Sequence, residues 1–242
     1  MQQIRASIAH DRALDDNHTY GMKPQFPKAE VLRFMNSPNG RRSSRKTLNK
    51  LELWSARLES IVRPQLTYSI KKIAECGRTN VTLPNGIILK GTKLARALRN
   101  CRSIVAFSST LGPAIDFEIS RLTQNNCLSD AFIVDSMGSV AVERLVERFY
   151  QQMRFYFIQQ GKSVTLRFSP GYCDWPLQEQ RKVFRLVKGD LIGVQLTESC
   201  LMTPQKSVSG VFGITQDVES GQKPYNPCSI CGKLDCTVRR SK

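Results

Sequence analysis

The chain has 242 residues, 40% of them hydrophobic, and its 36 Lys/Arg against 20 Asp/Glu give a formal net charge of +16. That length suffices for one large or two small domains with a real core, so neither disulfides nor metal are needed merely to fold it; no apolar run approaches the roughly 20 residues that cross a bilayer. The charge is uneven, with 20 Lys/Arg against 7 Asp/Glu in residues 1–110 and 11 against 12 in 111–220, so the first half suits nucleic acid, an anionic membrane or an acidic protein without choosing among them.

The eight cysteines are irregularly spaced and read as reduced thiols or metal ligands rather than a secreted disulfide framework. Arg41-Arg42 is followed by Ser43-Ser44-Arg45-Lys46 where an export signal would need an apolar stretch, so a cytoplasmic protein is expected.

Residues 1–27 mix charge with Asn, His and Gln without a period and read as a mobile leader; Met22 offers an alternative start. A short helix is expected at 28–36 from Val31, Leu32, Phe34 and Met35, followed by a loop at 37–44. A long helix follows, with Leu48, Leu51, Trp54, Leu58 and Ile61 three or four apart; Pro64 interrupts or kinks it, and Leu66, Ile70 and Ile73 carry it on to Cys76. Val81 and Leu83, then Pro84-Asn85-Gly86, then Ile87-Ile88-Leu89 predict a hairpin. Leu94, Ala95 and Leu98 suggest a helical turn, 103–108 a buried strand and 114–123 a helix.

A longer helix is expected at 129–159 from Ala131, Val134, Met137, Val140, Ala141, Leu145 and Phe149. Glu143 and Glu147 fall four apart on one of its faces. Glutamates at that spacing ordinarily belong to a solvated surface, and Glu147 fits that description. Glu143, flanked by Ala141, Val142 and Leu145, can lie at the border of the buried face and project toward the next strand. Beyond it come a loop at 173–180, a helix at Gln180–Val187, a strand at 191–197, a turn at 202–206 and a glycine-punctuated strand at Ser207–Thr215. Helices and strands alternate without a glycine-rich phosphate loop, which argues for an α+β fold and against a Rossmann fold.

The stretch 163–172 organises the rest. Val164, Leu166 and Phe168 alternate with Thr165, Arg167 and Ser169, and Pro170-Gly171 breaks the strand. Arg167 therefore stands at a strand-to-loop corner, where a guanidinium fork and approachable backbone suit a carboxylate or phosphate, with the amphipathic ring of Tyr172 beside it. The alternative is a surface arginine ahead of an ordinary Pro-Gly turn.

Arg-Phe-Ser-Pro-Gly-Tyr at 167–172, Pro176, Leu196-Thr-Glu-Ser199, Pro204 and Ser207-Val-Ser-Gly210 together resemble the activation domain of cobalamin-dependent methionine synthase. The likeness covers roughly 28–215, with its specific motifs within about 129–210. It implies a domain at 28–215 flanked by the leader and a Cys-rich tail at 216–242, with a twisted, mainly antiparallel sheet flanked by long helices. It also implies a shallow S-adenosylmethionine site: Arg167 on the methionyl carboxylate, Phe168, Ser169 and Gly171 as backbone contacts, Tyr172 as the motif tyrosine, and Glu143 near the cationic end of the ligand. Two family ligands have no counterpart, an acidic residue in an Asp-Trp-Thr-Pro-Phe segment and an aromatic downstream of Ser-Val-Ser-Gly. The function implied is reductive methylation of cob(II)alamin to methylcobalamin, in trans, on a corrinoid protein or a methionine synthase without its own activation domain. An acidic flavodoxin- or ferredoxin-like donor would dock on the basic half. No general base is expected.

The tail sequence Cys228-Ser-Ile-Cys231-Gly-Lys-Leu-Asp-Cys236 has ligand-like spacing for zinc or an iron–sulfur cluster, with Cys173, Cys200, a partner or water as the fourth ligand; the alternative is inert or redox-sensitive thiols. A nucleic-acid-binding protein with a zinc-knuckle-like tail is the second class, but no aromatic residues interleave the basic segments as in the common RNA-binding modules, and it would leave the Arg167 corner unexplained.

Overall fold

The computed structural model describes residues 18–35, 44–215 and 225–230. Strand β1 (His18–Gly21) leads to helix α1 (Lys28–Met35), whose first free N–H groups, those of Glu30 and Val31, donate to the Pro27 carbonyl. Helix α2 (Arg45–Ile61) starts where the Ser44 hydroxyl accepts the Thr47 N–H at 3.1 Å, and buries the stripe Leu51, Trp54 and Leu58.

The expected continuation of α2 past Pro64 is corrected. Residues Gln65–Lys72 form strand β2, with Leu66, Thr67, Tyr68 and Ser69 all buried. Both faces of the strand are covered, so its polar row, Thr67 and Ser69, is as buried as its apolar row, Leu66 and Tyr68. Its inward hydroxyls bind the end of a later helix, Thr67 donating to the Val187 carbonyl at 3.2 Å and Ser69 to that of Leu186 at 2.7 Å.

Strands β3 (Glu75–Cys76), β4 (Asn80–Thr82) and β5 (Ile88–Lys90) make a small antiparallel sheet, with the expected hairpin between the last two. Helix α3 (Thr92–Leu98) leads into β6 (Cys101–Thr110), and α4 (Ala114–Gln124) into the 31-residue α5 (Leu128–Ile158). After β7 (Ser163–Val164) come α6 (Gln180–Val187), the short pair β8 (Gln195–Leu196) and β9 (Met202–Thr203), and β10 (Ser207–Thr215). The strand expected at 191–197 shrinks to β8. Left-handed backbone at Lys188 (φ 46°) and Gly193 (φ 70°) brackets a 3-10 turn at Gly189–Ile192 and cuts it short.

Among the described residues the main sheet runs β1-β2-β6-β10-β7, with every neighbour antiparallel. Its edge strand β1 pairs His18–Gly21 with residues 65–68 of β2, so residues 18–21, expected in the leader, belong to the sheet. Against one face α5 lays Val146, Phe149, Tyr150, Met153 and Phe157. There Phe149 sits 5.2 Å from Tyr68, 5.9 Å from Phe107 and 6.1 Å from Phe212, ring centroid to centroid, in the tilted and edge-on arrangements aromatic rings prefer. The opposite face is covered by α3, α6, the β4–β5 hairpin and Trp175. At about 1.5 Å per residue α5 is long enough to reach past the sheet, and its first half closes a second core with α1, α2 and α4. The result is the α+β architecture expected, and among the described residues no helix is long and apolar enough to cross a membrane.

Candidate functional site

The expected binding residues sit where β7 runs out along the edge of β10. Past Val164 the ladder turns irregular, yet the chain stays pinned. The Thr165 N–H donates to the Gly213 carbonyl at 3.0 Å, and the Thr165 hydroxyl accepts the Gly213 N–H at 2.8 Å. Phe168 and Val211 exchange both backbone bonds at 2.8 Å. Gly210 makes the close approach feasible, because a Cβ there would stand 2.4 Å from the Phe168 carbonyl oxygen and 2.9 Å from the Ser169 hydroxyl.

Pinning on both sides of Arg167 fixes the direction of its side chain toward α5. Nη2 donates to Oε2 of Glu147 at 3.2 Å, and Nη1 stands 3.6 Å from Oε2 of Glu143. The guanidinium carbon is 5.8 Å from the centre of the Tyr150 ring, whose hydroxyl donates to the Thr165 carbonyl at 2.9 Å. Only 19% of the Arg167 side chain is exposed, against 58% for Glu143 and 37% for Glu147. This is a largely buried cation flanked by two carboxylates at the sheet edge, not a solvated surface arginine.

After Ser169 the chain turns tightly. Gly171 takes φ +87°, a conformation that glycine adopts without strain. Its N–H donates to the Trp175 carbonyl at 2.8 Å, and the Tyr172 N–H to that of Ser169 at 3.3 Å. Trp175, 2% exposed, is the anchor of the loop in the core, and Asp174 accepts the Lys93 N–H at the start of α3. Tyr172 is left 52% exposed. The N–H groups of Phe168 and Gly171 and the Phe168 carbonyl are thus committed to the protein, so a backbone contact to a ligand at Gly171 would run through its carbonyl.

Arg167, Phe168, Ser169, Gly171 and Tyr172 are brought together by this loop, and Glu143 stands beside Arg167. The reading of Glu147 as solvated surface is corrected: it makes the shorter contact. The i, i+4 row Glu143–Glu147 extends to Tyr150 and Gln151, so these neighbours could have been found by following the same helix face. Trp175 carried no comparable signal.

The tail motif is described only in part. Cys228 lies half-buried in a 3-10 turn at Pro227–Ile230, its N–H donating to the Asn226 side chain at 3.0 Å, while Cys231 and Cys236 lie outside the described residues. Tyr225, just before, packs against the sheet core beneath Arg96, whose guanidinium carbon is 4.7 Å from its ring centre. Cys173 is exposed and Cys200 buried; among the described residues no three His, Cys, Asp or Glu side chains gather to hold a metal.

Fold and site together define an α+β domain with a carboxylate-flanked arginine at a sheet edge. Residues 134–220 match the family model described as vitamin B12 dependent methionine synthase, activation domain. That segment contains every motif on which the resemblance was read. Among solved structures, the reactivation domain of MetH bound to AdoHcy shares the fold at a TM-score of 0.56 and 15% identity, over 82% of this chain and 78% of that one. No curated protein matches the chain in sequence.

Proposed function

We propose that this chain is a reactivation protein that binds S-adenosylmethionine at the Arg167 corner. It acts in trans on cobalamin carried by a separate methionine synthase or other corrinoid methyltransferase of the cytoplasm. The observation that carries this reading is the Arg167 guanidinium itself, four-fifths buried, aimed by a pinned strand, and lying within the segment matched to the activation-domain family. The AdoHcy bound to the MetH reactivation domain adds support, since it differs from S-adenosylmethionine by the methyl group alone.

In this reading Arg167 takes the methionyl carboxylate, Tyr172 borders it, and Glu143 faces the cationic end of the ligand. The reaction is methyl transfer from the sulfonium to reduced cobalt, with the S–CH3 bonding pair staying on sulfur as the thioether leaves. An acidic flavodoxin- or ferredoxin-like donor supplies the electron that first reduces cob(II)alamin. The chain's own contribution is to hold the methyl in place, a task of positioning rather than of proton transfer. We also assign Cys228, Cys231 and Cys236 to zinc or an iron–sulfur cluster, supported by their spacing.

Calorimetry with S-adenosylmethionine tests the site, run beside Arg167→Ala with metal content measured on the same samples. Saturable wild-type binding that weakens by about 1.5–3 kcal/mol in the variant, the range for a charged hydrogen-bonded partner, is the expected result. No binding by the wild type would remove the reading, and metal-free protein from anaerobic preparation would remove the tail assignment.

A further inference from the structure

Arg167 has two terminal nitrogens, and each already faces a carboxylate of the chain. Its guanidinium carbon also lies 5.8 Å from the centre of the Tyr150 ring. A carboxylate ligand that forks across Nη1 and Nη2 competes with these contacts for the guanidinium's N–H groups, and the two glutamates are not equivalent. Glu147 makes a hydrogen bond at 3.2 Å, whereas Glu143 stands at 3.6 Å and is the more exposed of the two. The second oxygen of Glu147, Oε1, accepts from Nε2 of Gln151 one turn further along α5, at 2.6 Å. If Glu147 lets go of Arg167 it keeps that partner and gains water, so its release costs little.

Resting on the reading of Arg167 as the ligand's carboxylate partner, we propose that Glu147 is an internal stand-in for that carboxylate: a latch that occupies Arg167 until the ligand replaces it, with Gln151 retaining the displaced side chain. Two carboxylates against one guanidinium leave the corner net negative, which disfavours the ligand's carboxylate end, though not its cationic sulfonium end, unless one of them moves away. The latch thus sets the affinity for ligands bearing a carboxylate and leaves untouched those without one. Glu143, already loosely held, remains to face positive charge on the ligand.

The test compares wild type and Glu147→Gln by calorimetry with two probes, S-adenosylmethionine and 5′-methylthioadenosine, which lacks the amino-acid end. Glutamine keeps the size and the bond to Gln151 but competes only weakly for a guanidinium. Glu147→Gln is expected to bind S-adenosylmethionine about fivefold more tightly, the weight of one partly exposed charge-assisted contact removed from competition, with methylthioadenosine binding unchanged. Unchanged or weaker S-adenosylmethionine binding in the variant, while the wild type binds, would overturn the latch and leave the functional reading standing. Equal tightening of both probes would overturn it too, since the effect would not be directed at the carboxylate. Failure of both proteins to bind S-adenosylmethionine would remove the functional reading and the latch with it.

Discussion

Asp116 and Asp130 show how the same side chain is driven in opposite directions by its surroundings. At Asp116, in the first turn of α4, burial pushes the carboxyl above its ordinary range; the Gln205 N–H bound to Oδ2 at 2.6 Å and the nearby Lys206 recover only part of this. Among the described residues its buried Oδ1 has no hydrogen-bond partner. At Asp130 burial also pushes up, but the hydrogen bonds from Lys50 and from the Trp54 indole outweigh it and hold the carboxyl low. The signs follow by linkage. Asp130 contributes stability above its unfolded pKa of about 3.9, lost as pH falls through the folded value. Asp116 does the reverse, its contribution being fully present below the unfolded pKa and lost as pH rises through the raised folded one. Asp116→Asn keeps an acceptor for Gln205 and removes the charge. It is therefore expected to raise the melting temperature at pH 7, with the gain over wild type shrinking as pH falls through the raised pKa. A gain that is the same at pH 4 and pH 7 would show that ionisation is not its source. Residue identity alone reveals none of this, because burial and partners 75 or more positions away decide it. Arg167 was legible as a candidate because a strand, a Pro-Gly break and a lone cation coincide locally. Glu147 was legible as a neighbour of Glu143 on one helix face but not as the nearer partner of Arg167, since the rotation of α5 that turns it toward Arg167 is set by packing against the sheet.

The elements that sequence periodicity identified are those with one covered face. The stripes of α2 and α5 are read directly, because each helix buries one side and leaves polar residues on the other. Strand β2 escaped because Leu66, Ile70 and Ile73 mimic a helical row while Leu66, Tyr68 and Ile70 form the true strand row, and buried Thr67 and Ser69 look polar. The edge strand β1 escaped for a different reason: four residues, His-Thr-Tyr-Gly, carry too little apolar pattern to announce a strand. At the site, the decisive contact between elements is the approach of residues 168 and 169 to β10. Gly210→Ala places a methyl against a backbone oxygen that is itself bonded to Val211, so the Phe168–Val211 bridge must open or β10 must shift. A loss of about 1–3 kcal/mol in denaturant-monitored stability is expected, the range for overpacking a well-filled interior. S-adenosylmethionine binding should weaken beyond what partial unfolding explains, because Arg167 loses its aim. Binding unchanged in a destabilised variant would mean that the bridge serves the fold and not the site.

Across the whole molecule, charge is segregated in a way the fold makes spatial. Residues 63–110 contain nine Lys/Arg, at 63, 71, 72, 78, 90, 93, 96, 99 and 102, against Glu75 as their only acid. Antiparallel pairing gathers several of them at one end of the sheet. Lys72 pairs in register with Ser103, and the Ile73 N–H donates to the Arg102 carbonyl. Arg99 is close enough to Cys76 to act on its thiol, and Lys72, Arg78, Arg99 and Arg102 are exposed. Grouped at one end of the sheet, Lys72, Arg99 and Arg102 create a directional field, and such a field speeds encounter with an acidic partner more than it strengthens the final complex. If this end receives the acidic electron donor, reactivation of a corrinoid protein should slow by about tenfold between low and physiological ionic strength, as screening shortens the reach of the field. The double reversal Arg99→Glu with Arg102→Glu should slow it at low salt and flatten the salt dependence, while S-adenosylmethionine binding at Arg167 stays as in the wild type. A rate indifferent to salt, or a charge-reversed protein with wild-type salt dependence, would assign these cations to solubility and place donor docking elsewhere on the molecule.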